Sequence, residues 1–149
     1  MRTVRDDEGE RYLLVKRSSD SSLVRDPDTG SEHYLPNADL TVDDGASTLE
    51  TAAGAVPASV RRVLTATPND RALGLLVELV DRGPLGARAL VDTYDLCESD
   101  LHGLLAEFRA AGLVAETRVA GERGYEATET TDDAVARLRT IDDGTTDTE

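Results

Sequence analysis

The sequence predicts an α+β protein in which a small antiparallel meander precedes a mainly helical segment. Two observations indicate this class. Short β-type runs between residues 11 and 36 are bounded by Pro and Gly, whereas leucine-rich stretches after residue 57 repeat apolar residues every three to four positions. With four Tyr, one Phe and no Trp in 149 residues, the core must be built from Leu, Val and Ala.

Acidic residues dominate the charge of the chain. There are 30 Asp and Glu against 16 basic residues, of which only Lys16 is a lysine, and the formal net charge is -14. The regular apolar spacing predicts a folded protein with an acidified surface. This composition is typical of a haloarchaeal cytoplasmic protein, and at molar salt the Debye length is about 3 Å. The net charge therefore does not by itself exclude nucleic acid as a partner.

Residues with catalytic or metal-binding chemistry are few. Cys97 is the only cysteine, and with two histidines, His33 and His102, no zinc-type spacing exists, so no cofactor is expected. Gly-Ala-Ser-Thr at 45–48 lacks the lysine of a phosphate-binding loop, so an enzyme is not expected. Without an apolar run of 18 residues or an apolar N-terminal segment, we expect a cytoplasmic protein without membrane contact.

Residues 1–45 are predicted to form the β-rich segment. Strands are expected at 12–16, 22–25 and 33–36, and the Pro and Gly of residues 26–30 predict a tight turn with a left-handed position. This alternation of runs and turns indicates an antiparallel meander.

Residues 46–66 are predicted to be a linker that contains helices. A short helix is expected near 48–53, and Pro57 suits the first position of a second helix that extends to residue 66. Val60, Val63 and Leu64 would form an apolar stripe on that helix. Such a stripe needs a partner surface, which suggests dimerisation.

The segment that follows Asn69 predicts the first long helix, with Asn69 as its N-cap and Gly83-Pro84 as its end. A shorter helix is expected at 85–91, with Ala89 and Leu90 facing inward.

A further amphipathic helix is predicted at 99–111 and ends at Gly112. Its apolar residues follow helical spacing: Leu101, Leu104, Leu105 and Phe108. A hairpin follows, with strands at 113–119 and 125–128 and a turn at 120–124. A last helix at 131–141 precedes an acidic tail, 142–149, which is expected to be disordered.

Three motifs carry a resemblance to a known family. They are Gly83-Pro84-Leu85, the pattern Leu-Leu-x-x-Phe-x-x-x-Gly-Leu-Val at 104–114, and Gly-x-Arg-Gly-Tyr-x-x-Thr at 121–128. Their order resembles the winged helix-turn-helix domains of ArsR-, MarR- and TrmB-like regulators. The resemblance implies such a domain at 67–141, preceded by the β meander and a linker helix, in a homodimeric DNA-binding regulator of transcription.

The resemblance also implies a set of DNA-binding residues. The helix at 99–111 would enter the major groove and the hairpin would reach the neighbouring backbone or the minor groove. The corresponding positions are Ser99, His102, Gly103 and Ala106 on the helix and Arg118 and Arg123 on the hairpin, with Arg123 at its tip. The chain departs from the family pattern at Gly103 and Ala106, where Arg, Lys, Gln or Ser is usual.

Two other functions stay open. Residues 98–126 contain six acidic residues and three arginines, whereas a DNA-binding surface is usually basic. The runner-up is therefore a winged-helix module that docks on a protein without direct DNA binding. A small-molecule sensor that uses the β segment is a third hypothesis, although no convergent polar pocket is evident in that segment.

Overall fold

In the computed structural model, which describes residues 1–141, the chain divides into two units, of which the first is Met1–Pro57 and the second begins at Ala58. The division falls inside the segment 46–66, which the sequence predicts to be a linker with helices. The tail predicted at 142–149 lies outside the described residues.

The first unit is a five-stranded antiparallel sheet with one helix. Its strands are β1 (Arg2–Arg5), β2 (Arg11–Arg17), β3 (Ser21–Arg25), β4 (Glu32–Pro36) and β5 (Thr41–Val42), and its helix is α1 (Thr48–Ala53). The strand order is β4-β3-β2-β1-β5. The predicted meander is therefore confirmed as β2–β4, whereas β1 and β5 extend it beyond the prediction.

The core of this unit lies under α1 and within the sheet. Val4, Leu13 and Val24 are buried, and the hydroxyls of Thr3 and Thr51 are 2.8 Å apart and hydrogen-bonded, which joins the sheet to α1. The turn between β3 and β4 has Gly30 at a φ of +74°, which confirms the predicted left-handed position.

Up to residue 141, the second unit contains five helices and a three-stranded antiparallel sheet. The elements are α2 (Ala58–Ala66), α3 (Asp70–Arg82), β6 (Leu85–Gly86), α4 (Ala87–Tyr94), α5 (Glu98–Ala110), β7 (Val114–Val119), β8 (Glu122–Ala127) and α6 (Glu129–Arg139). The strand order is β6-β8-β7. Three helices, a hairpin edged by a short strand and a closing helix are the elements of a winged helix, so the predicted α+β class and fold are confirmed.

The prediction of a helix at residues 85–91 was wrong at both ends, because α4 spans Ala87–Tyr94. Leu85 and Gly86 form β6, which pairs with β8, and α4 begins only at Ala87. Leu90 is buried as predicted, but Ala89 is exposed. Gly83 turns the chain with a φ of +75°, and pairing with the distant β8 then holds the next residues extended.

Helix α5 supplies much of the core of the second unit. Leu101, Leu105 and Phe108 are buried, while Leu104 is only half-buried. The helix ends in a Schellman motif, because the amide of Leu113 donates to the carbonyl of Phe108 at 2.8 Å and Gly112 has a φ of +74°. The predicted end of this helix at Gly112 is thus confirmed.

Helix α2 packs against α6 of its own chain. Val60 and Val63 are buried, but Leu64 is 57% exposed, so the predicted three-residue stripe was wrong at Leu64. The hydroxyl of Ser59 also donates to the carboxylate of Asp133 on α6. Because α6 covers the valines, the apolar face of α2 does not by itself require a second copy of the chain.

A two-pronged ion pair joins α3 to α6. The two terminal nitrogens of Arg139, Nη1 and Nη2, donate to the carboxylate oxygens of Asp81 at 2.8 and 2.6 Å. The hydrogen bond from Arg139 holds the pKa of Asp81 below its usual value of 3.8. A lowered folded-state pKa means that this stabilisation is present above about pH 4 and is lost as the pH falls through the lowered value.

We therefore expect Asp81→Asn to reduce the loss of stability between pH 7 and pH 3. Urea unfolding at the two pH values measures it. Asp92→Asn is the matched control, since Asp92 is exposed and has no ion pair within residues 1–141. An equal acid-induced loss in the Asp81 variant and the parent would contradict the role of the pair.

Candidate nucleic-acid interface

The exposed face of α5 brings four sequence-predicted residues together. Ser99, His102, Gly103 and Ala106 are all exposed, while the opposite side of the helix is buried in the core. The spacing of three or four residues places them along one continuous face. That face is narrow and small in side-chain volume, because two of its four residues are Gly and Ala.

Polar contacts hold the first turn of this face. Cys97 is the N-cap of α5, and its Sγ lies 3.1 Å from the hydroxyl oxygen of Ser99, a hydrogen bond that lowers the pKa of the Cys97 thiol. His102 Nε2 is 3.7 Å from a carboxylate oxygen of Glu98. Ser99 and His102 thus point outward with neighbouring polar groups that limit their freedom.

A groove of about 390 Å³ runs along one side of this face, between α3 and α5. Its lining includes the apolar Leu75, the polar Arg71, Ser99 and Glu107, and Gly103. We call it the α3 groove. Two of the predicted residues, Ser99 and Gly103, therefore line the α3 groove together with Arg71.

A second groove, of about 260 Å³, lies on the other side, between α4, α5 and β8. Arg88, His102, Glu122 and Arg123 are among its lining residues. We call it the α4 groove. It connects the predicted helix residue His102 to the predicted hairpin residue Arg123, which are far apart in sequence.

The hairpin of β7 and β8, here called the wing, turns more tightly than predicted. Ala120 and Gly121 form a two-residue turn with φ of +52° and +82°, and strand pairing continues to the pair formed by Val119 and Glu122. The prediction that Arg123 lies at the tip was therefore wrong. Arg123 is the second residue of β8 and lies directly opposite Arg118.

The two wing arginines have different neighbours. Arg118 donates to the carbonyl of Gly121 at 3.0 Å, which fixes it beside the turn. Arg123 Nε is 4.0 Å from Oε1 of Glu116. The same oxygen is only 3.1 Å from Nη1 of Arg109. Glu116 therefore neutralises Arg109 more than Arg123, and both wing arginines are exposed.

Arg71 and Arg88 are two candidate residues that the sequence analysis did not identify. Both are exposed, and each lies one residue inside the start of a helix, α3 or α4. Sequence periodicity separates buried from exposed positions, but it does not show which exposed residues of separate helices share a groove. Only the packing of α3 and α4 around α5 places them beside the predicted face.

Residues 1–141 contain neither a metal site nor a membrane-spanning helix. In that range, no three His, Cys, Asp or Glu side chains converge in a way that could hold a metal ion. Within the same residues, none of the helices has both the length and the apolar character to cross a membrane.

Comparisons with known proteins give two similar structures and one family. No curated protein matches the chain. The chain is similar to HlyU from Vibrio cholerae N16961, with 30% sequence identity over 56% of this chain and 89% of that chain and a TM-score of 0.47. It is also similar to HlyU from Vibrio vulnificus CMCP6, described as a transcriptional regulator, with 27% identity over 56% and 88% of the two chains and a TM-score of 0.47.

The family match extends over both units. The model described as "Family of unknown function (DUF7346)" matches residues 1–139 of the 149. Since this range contains every helix and strand given above, the chain belongs to that family.

Proposed function

We propose that this protein is a non-enzymatic, DNA-binding regulator of transcription that acts as a homodimer. In this proposal α5 enters the major groove and the wing contacts the backbone or the minor groove. The supporting observation is that the exposed face of α5 lies between two grooves, each of which carries an arginine, with the wing beside one of them. A helix flanked in this way is suited to a surface of bases bordered by phosphates.

The small residues of the face are compatible with direct contact to bases. The major groove is about 12 Å wide and a helix with its side chains is about 10–12 Å across, so α5 must approach closely. Gly103 and Ala106 permit such an approach, and an alanine methyl can contact the methyl group of thymine. Ser99 and His102 can form hydrogen bonds with base edges.

The acidic surface sets the conditions under which binding is expected. Glu98, Asp100 and Glu107 lie on α5 itself, and at low salt their charges would repel phosphate. We propose a salt-rich archaeal cytoplasm as the natural setting, as the composition indicates. Because counterion release contributes little at molar salt, hydrogen bonds, apolar contacts and DNA shape would supply the affinity.

The test is selection of DNA fragments by the full chain in about 2 M KCl, where the Debye length is below about 3 Å. We expect the parent to enrich specific fragments as a complex of two chains per site, measured by sedimentation. Combined reversal of Arg118→Glu and Arg123→Glu should abolish the enrichment, whereas Lys16→Glu with Arg17→Glu, on β2, should retain it. If the parent enriches nothing over the wing variant, direct DNA recognition is wrong.

Ser99 and His102 have a different expected effect. Ser99→Ala and His102→Ala should change which sequence is enriched, because base contacts specify the sequence. Unchanged preferences in both variants would contradict their assignment as base contacts.

The carboxylates around both grooves favour one second candidate, a module that docks on a basic protein surface. Asp100 and Glu107 line the α3 groove, and Glu98 and Glu122 line the α4 groove. Recovery of a stoichiometric protein partner without DNA, from a lysate at native salt, would support this function against the first.

A further inference from the structure

Arg71 and Arg88 lack an acidic partner although the surface around them is acidic. Neither side chain has an ion pair or a hydrogen bond within the described part of the chain. Arg109, Arg137 and Arg139 of the same unit have a carboxylate within 4.0 Å. Arg62, Arg82 and Arg118 have none among residues 1–141, but of the arginines without a carboxylate there, only Arg71 and Arg88 line the two grooves beside α5. Acidic side chains line both grooves, so Arg71 and Arg88 do not lack ion pairs because of a shortage of carboxylates.

The two arginines lie on opposite sides of the exposed face of α5. Arg71 shares the α3 groove with Ser99 and Gly103, and Arg88 shares the α4 groove with His102 and Arg123. A helix inserted in the major groove has the phosphates of one strand on one side and those of the other strand on the opposite side. The two grooves are therefore placed where two phosphate backbones would pass.

We propose that Arg71 and Arg88 contact the backbones of the two strands of a DNA duplex, one on each side of α5, and so fix the register of α5 in the major groove. This inference rests on the proposed function. Guanidinium groups bind phosphate through paired hydrogen bonds and stay charged at any relevant pH. Such contacts position the protein without reading the sequence.

Carboxylates in both grooves also have a part in this arrangement. Asp100 and Glu107 in the α3 groove and Glu98 and Glu122 in the α4 groove repel phosphate at low salt. Screening at molar salt weakens this long-range repulsion, whereas a short paired hydrogen bond between guanidinium and phosphate is less affected. Duplex binding is thus expected at molar salt, where the carboxylates oppose the two arginines least.

The experiment measures the affinity of the full chain for a selected duplex and for a scrambled duplex across a KCl series. Arg71→Gln and Arg88→Gln should each weaken binding to both duplexes about tenfold or more, the change expected when one charged hydrogen bond is lost. Each should also lower the slope of log affinity against log salt by about 1, and the double variant by about 2. Arg2→Gln is the matched control, because the exposed Arg2 side chain on β1 has no ion pair or hydrogen bond within residues 1–141, and it should change neither quantity.

The outcomes separate this inference from the proposed function. If Arg71→Gln or Arg88→Gln binds both duplexes with the affinity of the parent, the two-sided contact is wrong, while the proposed function is unaffected. Loss of binding to the selected duplex alone would show base reading and would also overturn it. If the parent binds neither duplex at any salt concentration, both the proposed function and this inference are wrong.

Discussion

Leu105→Ala is expected to lower the free energy of unfolding of the second unit by about 2–5 kcal/mol. Leu105 is 1% exposed and lies on α5 between Leu101 and Phe108, which are equally buried. The truncation removes apolar surface and leaves a cavity that these neighbours can fill only in part. Because the core has a single Phe and no Trp, few large side chains are present to take up the lost volume.

Chemical unfolding at molar KCl, followed by circular dichroism, measures this effect. Leu64→Ala is the matched control: the same substitution in the same unit, at a position that is 57% exposed, should cost far less. Equal unfolding midpoints for the Leu105 variant and the parent would show that α5 does not bury this face.

The helices of the second unit were predictable because their signals are local. Asn69 caps α3 by accepting a hydrogen bond from the amide of Ala72 at 3.0 Å, a role that its position before a leucine-rich stretch had indicated. Gly112 similarly marks the end of α5. In both cases the residue that determines the boundary lies within a few residues of the backbone groups at the helix end.

The short strands could not be predicted in this way, since their partners are distant in sequence. Val4 of β1 pairs with Val42 of β5, and Leu85 of β6 pairs with Tyr125 of β8. Strands of two to four residues are too short to show a period of two. Their extended form depends on ladder hydrogen bonds that exist only once the sheet is formed.

Some residues of the candidate interface could be predicted from local sequence signals, whereas others depend on how distant elements pack. Ser99 and His102 follow from the periodicity of α5, because the positions between the buried leucines must face outward. Arg71 and Arg88 do not follow from it, since their place beside α5 depends on how α3 and α4 pack. The position of Arg123 required the register of the wing, which a turn one residue longer would have changed.

Gly124→Ala is expected to separate β6 from the wing. A Cβ at residue 124 would lie 2.6 Å from a methyl carbon of Val119 and 2.9 Å from the carbonyl oxygen of Leu85. The second atom belongs to the backbone of β6, which cannot rotate away as a side chain can. We therefore expect a loss of about 1–3 kcal/mol, the usual cost of overpacking, and weaker pairing of Gly86 with residue 124.

Amide hydrogen exchange locates this effect within the molecule. Faster exchange at Leu85 and Tyr125, which face each other across β6 and β8, would show that this ladder opens. Gly74→Ala is the matched control, because a Cβ at this exposed position of α3 meets nothing within 4 Å and should stabilise the helix by about 0.5–1 kcal/mol. Since β8 also carries Arg123, a displaced β8 should in addition weaken the DNA binding that we propose for the wing. Exchange rates at Leu85 and Tyr125 that match those of the parent would mean that the wing accommodates the methyl group without moving β6.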